Sequence, residues 1–356
     1  MKEQAIHPAV QPSQLPGPLE AGTTLELEVR RDYQGRRLDK YLAARLQQYS
    51  RSFLQKLIRE GAVKVDDKAV KASYSIRKGV TITLEIPVLE KEHLRPEDIP
   101  LDIIYEDEYL MLVNKPPDMV VHPASRYMSG TLVNALLFHC AKLSRGRGDS
   151  ASRPYYKAGI VHRLDRDTSG VMLVIKSDEV HEDVARQFER RTVHKEYMAL
   201  VEGDVELDSD LIELPIGRHT KNRLKMSIRH DEGGKEATSI YEVLERFGDF
   251  TLVKVMPRTG RTHQIRVHMK AIGHPIVADA AYNTRDCLYA RDITGRGERP
   301  STPDDEPPIL ERQALHAYRL EFFHPILKKR VSFQAELPED MQRVLKLLRG
   351  RQRGKK

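Results

Sequence analysis

Cysteine is scarce in this chain: two occur among 356 residues, and they do not form a CxxC pair. Cys140 and Cys287 lie far apart, so their number excludes a disulfide framework and a thiolate zinc site and leaves at most one bridge. No apolar run approaches the roughly 20 residues that a membrane-spanning helix needs. The N-terminus lacks a basic segment followed by an apolar one. We therefore expect a cytoplasmic protein with no membrane partner.

Acidic residues are absent from the C-terminal segment 343–356, which holds seven basic residues. The overall charge of +7 combines opposed blocks, because residues 36–79 hold 12 basic and 4 acidic residues while residues 85–108 hold 2 basic and 9 acidic ones. Segregated charge of this kind indicates a polyanionic partner that is met at defined places. The C-terminal block alone is more typical of a solvated tail.

Composition and periodicity divide the chain into segments of different character. Residues near the N-terminus are proline-rich and polar without apolar periodicity, which predicts disorder. The predicted boundaries are 1–22 for a disordered tail, 23–84 for a small basic domain, 85–100 for an acidic linker, 101–340 for a large domain and 341–356 for a basic tail.

The small domain shows two helical patterns followed by short strands. Leucines recur at i, i+4 from Leu38 to Leu46, and a second helix is predicted between a cap at Ser50 or Ser52 and a stop at Gly61. The segments GRRLDKYLA and SRSFLQKLIREGAVKV resemble the α-L RNA-binding domain, first recognised in a ribosomal small-subunit protein. The resemblance implies phosphate contacts; the alternative is a charged face with no partner. The basic residues concerned are Arg37, Lys40, Arg51, Lys56, Arg59 and Lys64.

The motif HRLDRDTSG, residues 162–170, places Asp165 between Arg163 and Arg166 just before an apolar run. Two flanking guanidiniums favour an ionised carboxylate, which predicts either a site for chemistry or an ordinary ion-paired turn. The chain lacks the catalytic-loop Asn and the Gly-rich loop of a protein kinase. It also lacks the second carboxylate turn of an aspartic protease and the spaced carboxylate pair of a glycosidase.

A second informative stretch, PRTGRTHQIRVHMKAIGHPIVAD, predicts a helix capped by Thr262 and ended by Gly273. Arg266 lies in its first turns and off its apolar stripe, so its side chain is free to reach elsewhere. His263 and His268 are five residues apart and point about 140° away from each other on a helix, unlike the i, i+4 pair of a zinc site.

Five stretches together resemble the RluA-type pseudouridine synthases, closest to the RluD-like branch: NKPPDMVVHP, GIVHRLDRDTSG, VHKEYMALVEG, TGRTHQIRVHM and RQALHAYRLEFFHP. The resemblance spans Gly35 to Pro338. It implies an α+β fold in which helices flank a central mixed, mainly antiparallel sheet, with a small N-terminal α/β RNA-binding domain. It also implies isomerisation of uridine to pseudouridine in RNA, without metal or cofactor, most similar to enzymes that act on large-subunit (23S) ribosomal RNA.

The resemblance also assigns roles to five residues of this chain. Asp165 is the expected catalytic carboxylate, which attacks the base or the ribose or abstracts a ribose proton; these routes stay open. Tyr197 is expected to pack on the base and serve a later proton transfer, and Arg266 to pair with Asp165. Arg163 is expected to displace the target nucleotide, and Ile265 to form an apolar wall.

We expect a monomer whose partner is large-subunit ribosomal RNA or a pre-ribosomal particle. An alternative function remains: a ribosome-assembly factor whose RNA binding matters and whose catalysis is dispensable. For His162, His263 and His268 we expect structural or RNA-contacting roles. Pro117 and Asp118 depart from the family pattern and predict a stiffer bend, and residues 283–312 predict a surface insertion.

Overall fold

The computed structural model describes most of the chain, as two compact units of which one contains the described residues up to Glu85 and the other those from Arg95 onward. Residues 1–21 of the predicted tail (1–22), residues 86–94 of the predicted acidic linker (85–100), the Ser50 cap and residues 295–306 of the insertion lie outside the described residues. None of the described helices combines the length and apolar character needed to span a bilayer. The described residues are 24–31, 35–46, 51–85, 95–123, 127–140, 143–144, 158–222, 224–294 and 307–353, with residues 22, 33 and 49.

The first unit packs two helices against a small antiparallel sheet. Leu38, Leu42, Leu54 and Leu57 from the two helices are buried in one core with side chains of the sheet. The predicted two-helix pattern is therefore present. In chain order the elements are β1 (Thr24–Glu28), α1 (Leu38–Arg45), α2 (Arg51–Arg59), β2 (Val63–Val65), β3 (Lys68–Ala69) and β4 (Thr81–Glu85), and the sheet order is β1-β4-β2-β3.

A buried carboxylate joins the two helices of this unit. Asp39 is fully buried and accepts hydrogen bonds from Arg37 Nε at 3.0 Å, Arg51 Nη2 at 2.8 Å and Gln55 Nε2 at 2.5 Å. These bonds, that from Arg37 foremost, hold the pKa of Asp39 well below its usual range. Both arginines are thus fixed at their guanidiniums while their side chains stay half-exposed.

The second unit is built on a mixed sheet with nine strands among the described residues. The strand Ser169–Ile175 pairs in parallel with the strand Leu315–His324, and the other pairings are antiparallel. This confirms the predicted mixed, mainly antiparallel sheet. In sheet order the strands are β5 (Ile103–Glu106), β6 (Leu110–Lys115), β7 (Ser169–Ile175), β14 (Leu315–His324), β8 (His194–Glu202), β13 (Phe250–Pro257), β12 (Thr238–Arg246) and β9 (Ser209–Glu213), with β15 (Lys329–Gln334) paired to β14. A separate hairpin pairs β10 (Ile216–Arg218) with β11 (Met226–Ile228).

Strand β7 is buried along its whole length because both faces of the sheet are covered there. Met172 and Val174 enter one hydrophobic core, while Val171 and Leu173 enter another on the opposite face. This strand fixes the position of the HRLDRDTSG segment that leads into it. The covering helices of this unit are α3 (Leu132–His139), α4 (Asp178–Glu189), α5 (Gln264–Ala271), the short α6 (Ala290–Thr294) and α7 (Glu339–Arg353).

The prediction of a basic tail from 341 onward is wrong for the residues that the structure describes. Residues 341–353 continue α7, whose apolar face is buried in the core. Arg349 pairs with Glu245, and Arg351 pairs with Asp249 at 2.6 Å, so part of the basic charge is neutralised by the unit itself. The apolar residues of this segment follow the helical spacing i, i+3, i+4, i+7, which the many basic residues between them made difficult to recognise. Its members are Met341, Val344, Leu345 and Leu348.

Candidate active site

The carboxylate of Asp165 forms an ion pair with a buried arginine from a distant part of the chain. Arg266 Nη1 donates to Asp165 Oδ2 at 2.9 Å. The rest of the same guanidinium is held by Asp279, which accepts from Nε and from Nη2, each at 2.7 Å. Arg266 therefore lies between two carboxylates, with its bidentate face on Asp279 and one remaining nitrogen directed to Asp165.

Asp279 is the more deeply held of the two carboxylates. It is fully buried and also accepts backbone hydrogen bonds from Ala281 and Tyr282. Burial alone would lower the pKa of Arg266, but the hydrogen bonds and charges of Asp279 and Asp165 outweigh it and raise that pKa above its ordinary value. The guanidinium stays charged, and its orientation is set before any substrate arrives.

Helix α5 presents Arg266 in its first turn, but its N-terminus differs from the prediction that Thr262 is the cap. The N-cap is His263, in a left-handed conformation with φ 55° and ψ 21° and without a side-chain capping bond. The preceding turn is closed instead by Gln264, whose Oε1 accepts from the Arg261 amide and the Thr259 hydroxyl. The Gln264 side chain thus stabilises the turn that precedes α5, and the N-cap itself makes no side-chain capping bond.

The two arginines beside Asp165 do not hold its carboxylate, contrary to the expectation from sequence. Arg166 pairs with Asp118, and its guanidinium lies 5.5 Å from the ring centroid of Tyr127. Arg163 is exposed and makes no hydrogen bond or ion pair within the described part of the chain. Neighbouring residues of an irregular segment point in different directions, so adjacency in sequence does not predict contact. Asp118, a departure from the family pattern, thus anchors Arg166.

Two aromatic rings complete the surroundings of Asp165. Tyr197 projects from β8 into the same cleft, and burial together with the charge of Asp165 raises its pKa, so the phenol is neutral. His263 Nε2 lies 3.8 Å from Asp165 Oδ2, and its Nδ1 lies 2.7 Å from the Tyr282 hydroxyl. Burial lowers the pKa of His263, which favours a neutral imidazole. Asp165 therefore has one charged partner, Arg266, among these side chains.

The backbone after Asp165 is held from one side by a buried lysine. Lys115 is fully buried, and its Nζ donates to the carbonyls of Pro116 at 2.7 Å, Met119 at 2.9 Å and Arg166 at 2.8 Å. Burial lowers its pKa to about 7. Because an ammonium has three protons, the charged form satisfies all three carbonyls. Lys115 thus ties the NKPPDM bend to the loop that carries Asp165.

The same loop is held from the other side by the RQALHA segment. Arg312 pairs with Asp340 of α7 at 2.7 Å and donates through Nη1 to the carbonyl of Asp167 at 3.0 Å. Gln313 donates to the Thr168 hydroxyl at 3.2 Å. The sequence analysis quoted NKPPDM and RQALHA within the family resemblance but assigned no role to Lys115, Arg312 or Gln313, because their sequence context does not show that these side chains will contact the Asp165 loop.

A cleft of about 570 Å³ opens beside these residues, a volume within the range of small-ligand sites. Its lining includes five residues that sequence analysis selected: Asp165, Tyr197, Arg266, Arg163 and Ile265. The five selected from the small domain (Arg37, Lys40, Arg51, Lys56 and Arg59) belong to the first unit.

Two of the three histidines considered from sequence make structural contacts. His162 accepts a hydrogen bond from the Leu173 amide at 2.9 Å and stacks on Phe188. His268 is fully buried and contacts the Ser239 hydroxyl and the Leu214 carbonyl, each at 3.0 Å. His263 alone approaches Asp165.

Comparison with known proteins agrees with this architecture. Residues 109–271 match the model of the RNA pseudouridylate synthase family, and residues 36–82 match that of the S4 domain. The chain is 42% identical over 325 residues to the uncharacterized RNA pseudouridine synthase YlyB of Bacillus subtilis, covering 91% of this chain and 98% of that protein. It is 40% identical over 316 residues to ribosomal large subunit pseudouridine synthase D of Zymomonas mobilis, covering 88% and 94%.

A solved structure shares the fold of the larger unit. Human RNA pseudouridylate synthase domain containing 4 is 22% identical, covers 69% of this chain and 92% of its own, and gives a TM-score of 0.52.

The Asp165 carboxylate, ion-paired with Arg266, lines a cleft of small-ligand size, and the same chain carries an RNA-binding domain. These features together indicate an RNA-modifying enzyme. Because the chain is 42% identical to a synthase of this family over 91% of its length, it belongs to the RNA pseudouridine synthase family. Its activity is the isomerisation of uridine to pseudouridine in RNA, which confirms the family and the reaction predicted from the sequence.

Replacement of Lys115 tests whether its contacts with the Asp165 loop affect the reaction as well as the stability of the fold. We expect Lys115→Met to lower the rate constant of pseudouridine formation at least about tenfold and the free energy of unfolding by about 3 kcal/mol, because three backbone carbonyls lose their charged donor. Single-turnover kinetics and urea unfolding measure the two effects. The control is Lys176→Met, which removes a lysine bonded to Glu106 and the Asp107 carbonyl away from the loop. Equal rates for the two folded variants would contradict this role.

Proposed function

We propose that this enzyme isomerises uridine in large-subunit ribosomal RNA, with Asp165 as its catalytic carboxylate. The observation that carries the assignment of Asp165 is its ion pair with Arg266 in a cleft shared with Tyr197. Support for the substrate comes from relatives named ribosomal large subunit pseudouridine synthase D, which are about 40% identical over most of the chain.

The surroundings of Asp165 orient its carboxylate and leave one of its oxygens accessible. Oδ2 accepts from Arg266, while Oδ1 has no hydrogen bond from the described residues and is available to substrate. The guanidinium fixes one oxygen by a charge-assisted hydrogen bond without covering the other. The same geometry serves attack on the base, attack on the ribose or removal of a ribose proton.

We assign to the other cleft residues the roles that the family resemblance implies, and their positions support this assignment. Tyr197 packs on the uracil ring as a neutral phenol and serves the proton transfer that completes the reaction. Ile265 is buried and supplies an apolar wall next to Arg266. Arg163 is exposed and lines the cleft without a hydrogen bond or ion pair to any described residue, so its planar guanidinium can take the place of the displaced nucleotide in the stack.

The first unit supplies affinity for the RNA backbone. Lys40 and Arg59 are exposed, whereas Arg37 and Arg51 meet phosphate with guanidiniums that Asp39 already orients. Lys56 is half-buried and lies 3.7 Å from Glu60, so it contributes less net charge. We also infer that the enzyme works as a monomer, because one chain supplies Asp165, Tyr197 and Arg266 to the cleft.

Replacement of the carboxylate by its amide tests the proposed chemistry. We expect Asp165→Asn to reduce pseudouridine formation at least about a thousandfold, because the amide has neither the charge nor the nucleophilicity of the carboxylate. Chemical mapping of pseudouridine in large-subunit ribosomal RNA transcripts measures the product. The control, Asp167→Asn, changes a carboxylate of the same loop that makes no contact with Arg266 and should retain activity.

Equal product from wild type and Asp165→Asn would refute this assignment. Restoration of growth of a deletion strain by Asp165→Asn would instead favour the assembly-factor alternative, in which RNA binding suffices.

The role of the first unit is tested by the salt dependence of RNA binding. The double variant Lys40→Gln, Arg59→Gln should reduce the slope of log K against log salt concentration by about 1.5, since each lost phosphate contact removes roughly 0.7 to 0.9. Arg30→Gln, which alters an exposed arginine paired with Glu28, is the control. Binding measured by fluorescence anisotropy at several salt concentrations gives the slopes, and an unchanged slope in the double variant argues against these contacts.

A further inference from the structure

The cleft contains more positive charge than its carboxylates neutralise. Six arginine or lysine side chains line it, against the carboxylates Asp165 and Glu189. Three of the six have protein partners: Arg266 with Asp165 and Asp279, Arg191 at 3.7 Å from Glu236, and Arg261 with the Glu236 carbonyl. The other three make no hydrogen bond or ion pair through their side chains within the described residues. These are Arg163, Lys195 and Arg258.

Lys195 differs from the other two unpartnered cations because it lies inside the cleft. Arg163 and Arg258 are exposed, whereas Lys195 is half-buried. Burial lowers the pKa of Lys195, and no carboxylate offsets this effect. An ammonium withdrawn from water without a counter-charge costs free energy, which an anionic ligand would recover.

The protein groups around Lys195 cannot supply that counter-charge. His162 is neutral: burial and, secondarily, the charge of Lys195 lower its pKa to about 3. On another side the Lys195 Nζ faces Gly260, where an added Cβ would lie 3.8 Å away. The ammonium thus lies against the position of this turn that has no side chain, which leaves room for oxygen atoms of a ligand.

Lys195 and Tyr197 occupy alternate positions of β8 and line the same cleft. Such positions are about 7 Å apart along a strand. In a nucleotide, one ribose separates the base from its flanking phosphates. A uracil packed on Tyr197 therefore brings one of its phosphodiesters within reach of the residue two positions earlier.

We propose that Lys195 binds a phosphodiester next to the target uridine and so fixes the register of the RNA strand over Asp165. This inference rests on the proposed function, in which the target uracil occupies the Tyr197 end of the cleft. The ligand is the backbone phosphate of the substrate, so the contact positions the nucleotide without reading its sequence. Arg163 and Arg258 extend the same positive surface along the rim of the cleft.

The test pairs a change in the protein with a matching change in the RNA. The substrate is an RNA stem-loop in which the wild type forms pseudouridine, made with the native backbone or with one neutral methylphosphonate 5′ of the target, 3′ of it or four nucleotides away. Dissociation constants are measured by fluorescence anisotropy in the Asp165→Asn background, so that turnover does not interfere. The variants are Lys195→Gln, the charge-conserving Lys195→Arg and, as control, the exposed Lys329→Gln.

We expect Lys195→Gln to weaken binding of native RNA about tenfold, the size of a lost charge-assisted hydrogen bond. One flanking methylphosphonate should weaken binding to the Lys195 protein by a similar factor and have no further effect on Lys195→Gln. Lys195→Arg and Lys329→Gln should keep the methylphosphonate effect. Unchanged circular dichroism and melting temperature establish that each variant is folded.

The proposal would be overturned if Lys195→Gln bound native RNA as tightly as the protein with Lys195 does. It would also be overturned if, at every methylphosphonate position, the loss of affinity from the modified RNA multiplied with the loss from Lys195→Gln. Multiplicative losses would assign Lys195 to the base or ribose instead of the phosphate. Failure of the proposed function has a different signature, which is absence of pseudouridine from large-subunit RNA treated with wild type.

Discussion

The structure of the active site depends on one buried guanidinium held between two carboxylates. Asp279 takes two nitrogens of Arg266 and is itself fixed by backbone amides, so the third nitrogen has one direction available. Asp165 lies in that direction at 2.9 Å. A buried charge is tolerable only when it is paired, and Asp279 is the bidentate partner of Arg266. Asp165 therefore uses one oxygen for the ion pair, while its other oxygen accepts no hydrogen bond from the described residues. The Asp165 carboxylate is thus oriented by Arg266, whose own orientation is set by the buried Asp279.

The loop that carries Asp165 is irregular, and its rigidity comes from outside it. Lys115 holds the carbonyl of residue 166 and Arg312 that of residue 167, and both cations are themselves fixed, by two further carbonyls and by Asp340 respectively. The NKPPDM and RQALHA motifs lie about two hundred residues apart in sequence. They meet at this loop because each supplies one side chain that donates to a backbone carbonyl next to Asp165. Such an arrangement pre-organises charge for a reaction that the resemblance describes as independent of a metal or cofactor.

Much of the fold followed from local patterns, because the apolar alternation of β7 and the leucine spacing of α1 and α2 are encoded within a few residues. Asp165, Tyr197 and Arg266 were selected through motif resemblance, and the structure brings them to one cleft. The expected pairing of Asp165 with Arg266 is present, whereas the flanking Arg163 and Arg166 make no ion pair with this carboxylate among the described contacts, because contacts of a loop residue are set by tertiary packing. Asp279 and Lys115 were missed for the same reason, since neither an Asp nor a Lys shows in sequence that it will be buried. The apolar face of α7 was not predicted, because the high density of basic residues in this segment was interpreted as a solvated tail.

The most direct measurement is a double-mutant cycle between Asp279 and Arg266, read as the single-turnover rate constant of pseudouridine formation in protein shown to be folded. If Asp279 acts by orienting Arg266, Asp279→Asn should slow the reaction by about tenfold or more. Arg266→Lys, which cannot engage both carboxylates in this geometry, should also slow it. The account predicts that the double variant is no slower than Arg266→Lys alone. Independent, multiplicative losses, or an Asp279→Asn enzyme as fast as wild type, would contradict it.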